Sequence, residues 1–307
     1  MINRKRIFKI AGITIVVIIL LTLAGSFLFS YLAKKKIKGA QIGNFQLESK
    51  KINTNLFRRQ IRFSNAKLTT ENSRNNIVIP EARLSGIKLL HLIFSNEMEV
   101  KKFKISGPTI NFYKKDESKS SATPPSAARN TGKKRVVLIH HLEIPKLQFH
   151  FLDEGKNKPD TVFSTLLDFN IWELNTDSAS HGYSKKKFGF SRAKLFAEKG
   201  SFKTSNGLFN LHFDKMGFDT EAPNLIISRL EFNSPYGKYE LGQQTGVETN
   251  WYDISIDSIQ LNNFDVAALI KDTAIIFGNS SIKNIDAEIF RDKHLPFPDK
   301  KDTKLPS

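Results

Sequence analysis

Residues 141–151 read HLEIPKLQFHF, and the alternation within them decides the fold class. Leu142 and Ile144 stand two apart, Pro145 interrupts, and Leu147, Phe149 and Phe151 resume the alternation one residue out of phase. Residues two apart share one face of a β-strand, so each half offers one apolar and one polar face. A step that shifts the phase by one residue is what a bulge or bend does, and proline is tolerated there because no ladder donor is needed. The same unit recurs on either side: FKISGPTINFY with Pro108 at its step, ISRLEFNSP, ISIDSIQLNNFD and SIKNIDAEIF. Further pairs and triplets alternate in the same way: Ile61 and Phe63; Phe188 and Phe190; Phe209, Leu211 and Phe213; Ile226, Ser228, Leu230 and Phe232; Tyr252, Ile254 and Ile256. Helical periodicity is scarce, with Pro80–Leu90 and the capped stretch Asn262–Lys271 as the expected exceptions. The chain therefore reads as mainly β, an antiparallel sheet with one apolar face. The spacing of the units is irregular, which excludes a short-period solenoid.

Upstream lies a run of twenty-four residues without a charged side chain, Ile10 to Ala33. As a helix it is about 36 Å long, enough to span a bilayer core. Ile10, Ile15, Val16, Ile19, Leu20, Leu23 and Phe27 are its apolar contacts, and Arg4, Lys5 and Arg6 before it and Lys34, Lys35 and Lys36 after it suit the headgroup boundary. The run exceeds the apolar core of a cleaved signal peptide and continues past the small residues Ala24, Gly25 and Ser26, so residues 1–35 are expected to form an uncleaved transmembrane anchor. The flanking charge is symmetric; the short N-terminal tail favours an N-terminus inside and the bulk translocated.

Residues 116–135, rich in Ser, Pro and Lys, read as a linker or a long loop between a first β segment, 36–115, and a second, 136–290. Residues 291–307 read as a Pro- and Lys-rich connector or tail. The formal net charge of +17 comes from Lys and Arg scattered between strands, with no zinc-finger, RRM or helix-turn-helix pattern, so no nucleic-acid partner is expected. Cysteine is absent, which excludes disulfides and thiolate chemistry, whereas Phe is abundant at 25 residues against 2 Trp.

No enzyme signature is present: no HExxH, GxSxG, Walker A or GxGxxG pattern. His140 and His141 are adjacent on a strand and point to opposite faces, so they do not chelate one ion. No catalytic, cofactor or metal residue is assigned, and the chain is not expected to be an enzyme. The apolar residues Leu147, Phe149, Phe151, Phe209, Leu211 and Phe213 are the candidate lining of a hydrophobic surface. If a second sheet covered that face, the chain would be an anchored interaction module of closed sandwiches; if not, the face is a lipid or partner site. The residues alone leave both open.

Several stretches resemble the AsmA-like family. GNFQLESKKINTNLFRRQIRFSNAKL (43–68) follows the anchor, and KKFKISGPTINFYKK (101–115) carries an Ile-x-Gly-Pro-x-Ile-x-Phe strand-pair core. Residues 205–242, 251–270 and 289–298 resemble the branch of that family found in Bacteroidota. The resemblance covers most of the chain through short, degenerate motifs. It implies an inner-membrane anchor with an elongated, curved antiparallel sheet in the periplasm, whose apolar concave face forms a groove for phospholipid acyl chains in outer-membrane homeostasis. Membrane lipids and envelope proteins are the partners it implies. The chain is shorter than envelope-spanning members, so the resemblance implies either that it corresponds to their N-terminal portion or that the function needs partners.

Overall fold

The computed structural model describes residues 41–42, 45–55, 58–70, 74–88, 97–113, 136–153, 159–175, 189–204, 206–266, 268–269 and 274–297. The expected anchor and its basic flanks lie outside the described residues, as do residues 116–135. Among the described residues no helix is long and apolar enough to cross a membrane.

Among the described residues the elements follow in the order β1 (Gln41–Ile42), β2 (Phe45–Asn55), β3 (Gln60–Thr70), β4 (Asn76–Ile87), β5 (Glu97–Ser106), β6 (Thr109–Tyr113), β7 (Val136–Asp153), β8 (Asp160–Asn175), β9 (Arg192–Lys203), β10 (Asn210–Asp219), β11 (Asn224–Asn233), α1 (Lys238–Thr245), β12 (Asn250–Asn262) and β13 (Asn279–Arg291). The strands form one sheet in the order β1-β2-β3-β4-β5-β7-β8-β9-β10-β11-β12-β13, with β6 beside β4 and β7. Pairing is antiparallel from β1 to β5 and from β9 to β13, and between β4 and β6, while β5 and β7 run parallel. The mainly antiparallel class read from the alternation is therefore present, in a single hydrogen-bonded sheet. The helix expected over Pro80–Leu90 is instead strand through Ile87: alternate burial of Ala82 and Leu84, then Ile87, outweighs the propensity of PEARL. At Asn262–Lys271 the expectation holds in part: Asp265 Oδ1 accepts the Ala268 N–H (2.9 Å), capping a helical turn that begins at Val266.

The phase shifts have a backbone cause. Asn65, Lys146, Glu173, Lys199, Arg229 and Asn284 have φ between 49° and 54°, and Gly86 and Gly107 have φ of 67° and 56°. These left-handed residues fall in transverse rows. Asn65 faces Pro80, Pro80 faces Gly107, and Gly107 lies beside Lys146, whose N–H donates to Asp168 Oδ1 (2.7 Å). Six residues along, Gly86, Lys101, His140 and Glu173 form a parallel row. In the later strands Lys199, Asp214, Arg229, Asp257 and Asn284 form another. Six residues of strand are about 20 Å. Within each of these rows, antiparallel neighbours alternate left-handed with extended backbone, so the register continues unbroken through the row. Each crossing moves the inward face from one residue parity to the other, as a bulge does. In β7 the inward residues thus run Ile139, Leu142, Ile144, Leu147, Phe149.

The described residues divide into two compact units, those up to 148 together with those of 168–193, and those of 149–167 together with those from 194 onward. The first holds a dense aliphatic core of Ile52, Ile61, Leu84, Ile87, Val100, Ile139 and Leu142, with Phe63, Phe103, Ile144 and Leu174 packed against it. Ile87 is 1% exposed and Val100 fully buried. In the second unit α1 packs at one end of the sheet: Leu241 is fully buried, Tyr239 meets Phe290 edge-on at 4.9 Å, and the Trp251 Nε1–H donates to the Tyr236 carbonyl (2.8 Å).

Candidate functional site

Register places a set of apolar side chains on one face of β9–β13. Phe213, Leu230, Ile256 and Ile285 lie across from one another; so do Phe202, Leu211, Phe232, Ile254 and Ala287. Beyond the left-handed row, Ala197, Met216, Ile227, Ile259 and Ile282 continue the same face. Directly paired residues share a face, so each set is one transverse apolar strip. Outward positions between them are Asp253, Ser255 and Asp257 on β12, all exposed while Ile254 and Ile256 are half-buried.

Phe209 is stacked on Phe232 with centroids 5.2 Å apart, and Tyr252 meets both at 5.7 and 5.9 Å. This aromatic trio closes one end of the face; each such pair adds about 0.5–1.5 kcal/mol beyond its area burial. Phe218 against Phe264 (5.8 Å, edge-on) closes the other, and Phe264 is buried. Between them the Phe213 ring lies over Gly200, where a Cβ would sit 1.9 Å from the ring Cε1. Toward β13 the face is open: Ile282, Ile285 and Ile289 are 50%, 61% and 63% exposed.

The six lining residues read from the sequence are placed as follows. Leu211 and Phe213 are half-buried on one face of β10, and Phe209, just before the strand, is half-buried as well. Phe149 packs on Phe163 (6.0 Å), and Phe151 is half-buried two residues on. Leu147 is buried and belongs to the first unit. The alternation pointed to these residues but omitted Phe163, Met216, Ile227 and Ile259, because the phase shift hides which parity faces inward beyond each row. Ile226 and Ser228, grouped with Leu230 and Phe232 by period two, sit on the opposite face: Leu225 and Ile227 precede Arg229 on the apolar side, and Ile226 is exposed.

The polar side of the first unit carries cross-strand ion pairs. Glu143 receives both Lys102 and Lys104, the latter at 2.8 Å, and these two ammonium groups hold its carboxyl below the usual range. For Glu81 burial acts upward, but hydrogen bonds from Arg83 (2.8 Å) and Arg62 (2.6 Å) win, and its value is lowered. His140 faces Glu99 through Nε2 (2.8 Å) and Glu173 through Nδ1 (3.0 Å). A neutral imidazole has one N–H and cannot donate to both, so the two carboxylates favour the imidazolium. Its pKa is raised chiefly by the Glu99 hydrogen bond, then by Glu173, while Glu99 is lowered by His140 and Lys88. On the opposite strand face from Leu142, His141 stacks on Trp172 (5.1 Å, 11°), and Arg192 caps the indole at 5.0 Å. The crossing at His140 leaves both histidines between inward Ile139 and Leu142, so they share the outer face instead of pointing to opposite faces as strand alternation predicts, yet they take separate partners; among the described residues no group of three or more His, Cys, Asp or Glu is placed to hold a metal ion.

What this arrangement offers is apolar contact: a broad aliphatic and aromatic face on β9–β13, open at the β13 side. No protein-family model matches the chain, and no curated protein matches it.

Proposed function

We propose that this is an AsmA-like protein, anchored in a bacterial inner membrane by residues 10–33 with its bulk in the periplasm, whose apolar β face holds phospholipid acyl chains in support of outer-membrane homeostasis. The observation that carries the reading is the run of transverse apolar strips on β9–β13, open toward Ile282, Ile285 and Ile289. Exposed contiguous apolar surface on a folded domain marks a lipid or partner site. Acyl chains suit it because the strips carry no polar atom apart from the Tyr252 hydroxyl, so recognition is by area and not by hydrogen bonding. The apolar run at 10–33 supports a membrane source for such a ligand, and the sequence resemblance supports the phospholipid class. On this reading the groove is elongated and curved, it loads at the anchored end, and the protein performs no covalent chemistry.

The test is site-specific photocrosslinking in the membrane-embedded full chain. Crosslinkers at Phe149, Phe151, Phe209, Leu211 and Phe213 are expected to yield phospholipid adducts, and crosslinkers at the outward Lys215 and Asp253 are not. An absence of lipid adducts at all five inward positions overturns the reading.

A further inference from the structure

The outer face of the first unit sets like charges directly opposite one another. Arg62 on β3, Arg83 on β4 and Lys104 on β5 are register partners on the side away from Ile61, Leu84 and Phe103. Three cations thus stand in one transverse row on adjacent strands, about 5 Å apart, where like charges weaken a sheet. Lys101 and Lys102 lie beside the row on β5, both outward because the crossing falls between inward Val100 and Phe103. The carboxylates of this face do not balance it. Glu81 is shared by Arg62 and Arg83, and Glu143 by Lys102 and Lys104, so each cluster of three keeps one positive charge. Cations scattered evenly over the chain would give the second unit the same excess. There the outward row Ser201, His212, Glu231, Ser255 and Asp286 holds two acids and no Lys or Arg. The excess is therefore local to the first unit.

We propose that this outer face rests on the surface of an anionic phospholipid bilayer, with Arg62, Arg83 and Lys104 at the centre of the contact. Only the nearness of a membrane is taken from the proposed function; the apolar strips play no part. Charge complementarity selects the occupant. A second copy of the chain, at a net +17, is repelled by the face. The longer stretches of this sequence outside the described residues are no better suited: 1–40 holds eight Lys and Arg and no acid, 114–135 seven against two acids, 176–188 three Lys against one acid, and 298–307 three Lys against two acids. A bilayer fits better than a folded acidic partner because the cations spread over three strands of one sheet face and do not converge on a point, which suits a diffuse surface potential. The tether agrees. With 10–33 in the membrane, residues 34–40 reach at most about 25 Å, so the first unit is the one held close to the headgroups.

The chain has no cysteine, so single labels are simple to place. Asn53→Cys, exposed opposite Arg62, and Ser255→Cys, in the acidic row, each give the full chain one fluorophore. The labelled chains are reconstituted in phosphatidylcholine vesicles, with or without phosphatidylglycerol, that carry a headgroup spin label as quencher. Quenching at residue 53 is expected to rise at least about twofold with phosphatidylglycerol, to fall back in about 0.5 M NaCl, and to stay unchanged at residue 255. Glu143→Gln, which leaves Lys102 and Lys104 uncompensated, should strengthen the response at residue 53. Arg62→Gln with Arg83→Gln should remove it, and Arg62→Lys with Arg83→Lys should keep it. No response to phosphatidylglycerol at residue 53, or an equal response at both labels, overturns the proposal. So does an emission change at residue 53 with soluble polyglutamate but not with phosphatidylglycerol, which assigns the face to an acidic polypeptide. Flotation with neutral vesicles in high salt reports the anchor separately: a chain that fails to float there, yet shows salt-sensitive quenching at residue 53 on anionic vesicles, refutes the anchor and supports the face.

Discussion

Single residues here act through what they face across a strand. His140 lies between Glu99 and Glu173, and its raised pKa makes the clamp pH-dependent. Because the folded value lies above the usual histidine value of 6.5, its contribution is fully present below that value and is lost as pH rises through the folded one. Glu99 is shifted down, so its share is lost only as pH falls through its own lowered value. The advantage of wild type over His140→Gln in urea unfolding should therefore be largest below the usual histidine value and be lost as pH rises through the raised folded one. It should not exceed about 1 kcal/mol, since the imidazole and the Glu173 side chain are both substantially exposed. A flat difference across that range would refute the clamp. Gly200 gives a sharper case. A methyl there meets the Phe213 ring at 1.9 Å, so Gly200→Ala should cost about 1–3 kcal/mol of unfolding free energy. In a Phe213→Leu background the same change should cost markedly less, and a double-mutant cycle in urea measures the coupling. Neither contact could be read from the sequence: His140 is separated from Glu99 and Glu173 by 41 and 33 residues, and a strand glycine signals close approach without naming what approaches.

At the level of the strand, the sequence carried most of the architecture. Alternation in 141–151 placed β7, and the skipped beat at Pro145 marked a real break, because Lys146 next to it is left-handed. What stayed hidden was the ordering of the breaks into rows. A left-handed Lys or Arg has no signature of its own, so Lys199 and Arg229 look like ordinary outward residues until the register aligns them. That is why Ile226 and Ser228 are assigned to the wrong face by period two alone. β4 was obscured for another reason: helix formers in PEARL compete with an alternation that only tertiary burial of Ala82, Leu84 and Ile87 rewards. The rows make a direct prediction at Lys199, an exposed position with φ of 53°. A β-branched residue there pays the left-handed penalty in full, whereas glycine pays none. Lys199→Val should be less stable than Lys199→Gly by about 1–2 kcal/mol, the reverse of the usual order in strands. The same pair of substitutions at Lys215, extended and exposed on β10, should rank Val above Gly. Equal ranking at both sites, by urea midpoints at constant m, would mean that the row is not a backbone requirement.

Across the whole molecule, the two units bury their apolar surface differently. The first encloses aliphatic side chains completely, with Ile87 and Val100 at 1% and 0% exposure, and rivets its outer face with Arg62–Glu81–Arg83 and Lys102–Glu143–Lys104. The second leaves its isoleucines half or more exposed toward β13 and fully buries mainly small or end-capping residues, Ala197 and Leu241 among them. Composition pointed to one apolar face throughout, because Phe and Ile are plentiful in both halves; it could not say that one half closes over that face and the other does not, since closure depends on how strands pair. Stability follows burial: opening free energies run from near zero at exposed, edge-paired segments up to the global value in cores. Amide exchange of the full chain should therefore be graded. Amides paired between β4 and β5 around Val100 should exchange at least about a hundredfold more slowly than those of β13, which is held by β12 on one side only. Phospholipid added to the full chain should leave the first group unchanged and slow the amides of β10–β13, because a ligand seated on the apolar strips stabilises only the strands that touch it. Uniform slowing in both units would place the ligand elsewhere, and slowing confined to the β4–β5 pair would reverse the assignment of which face is open.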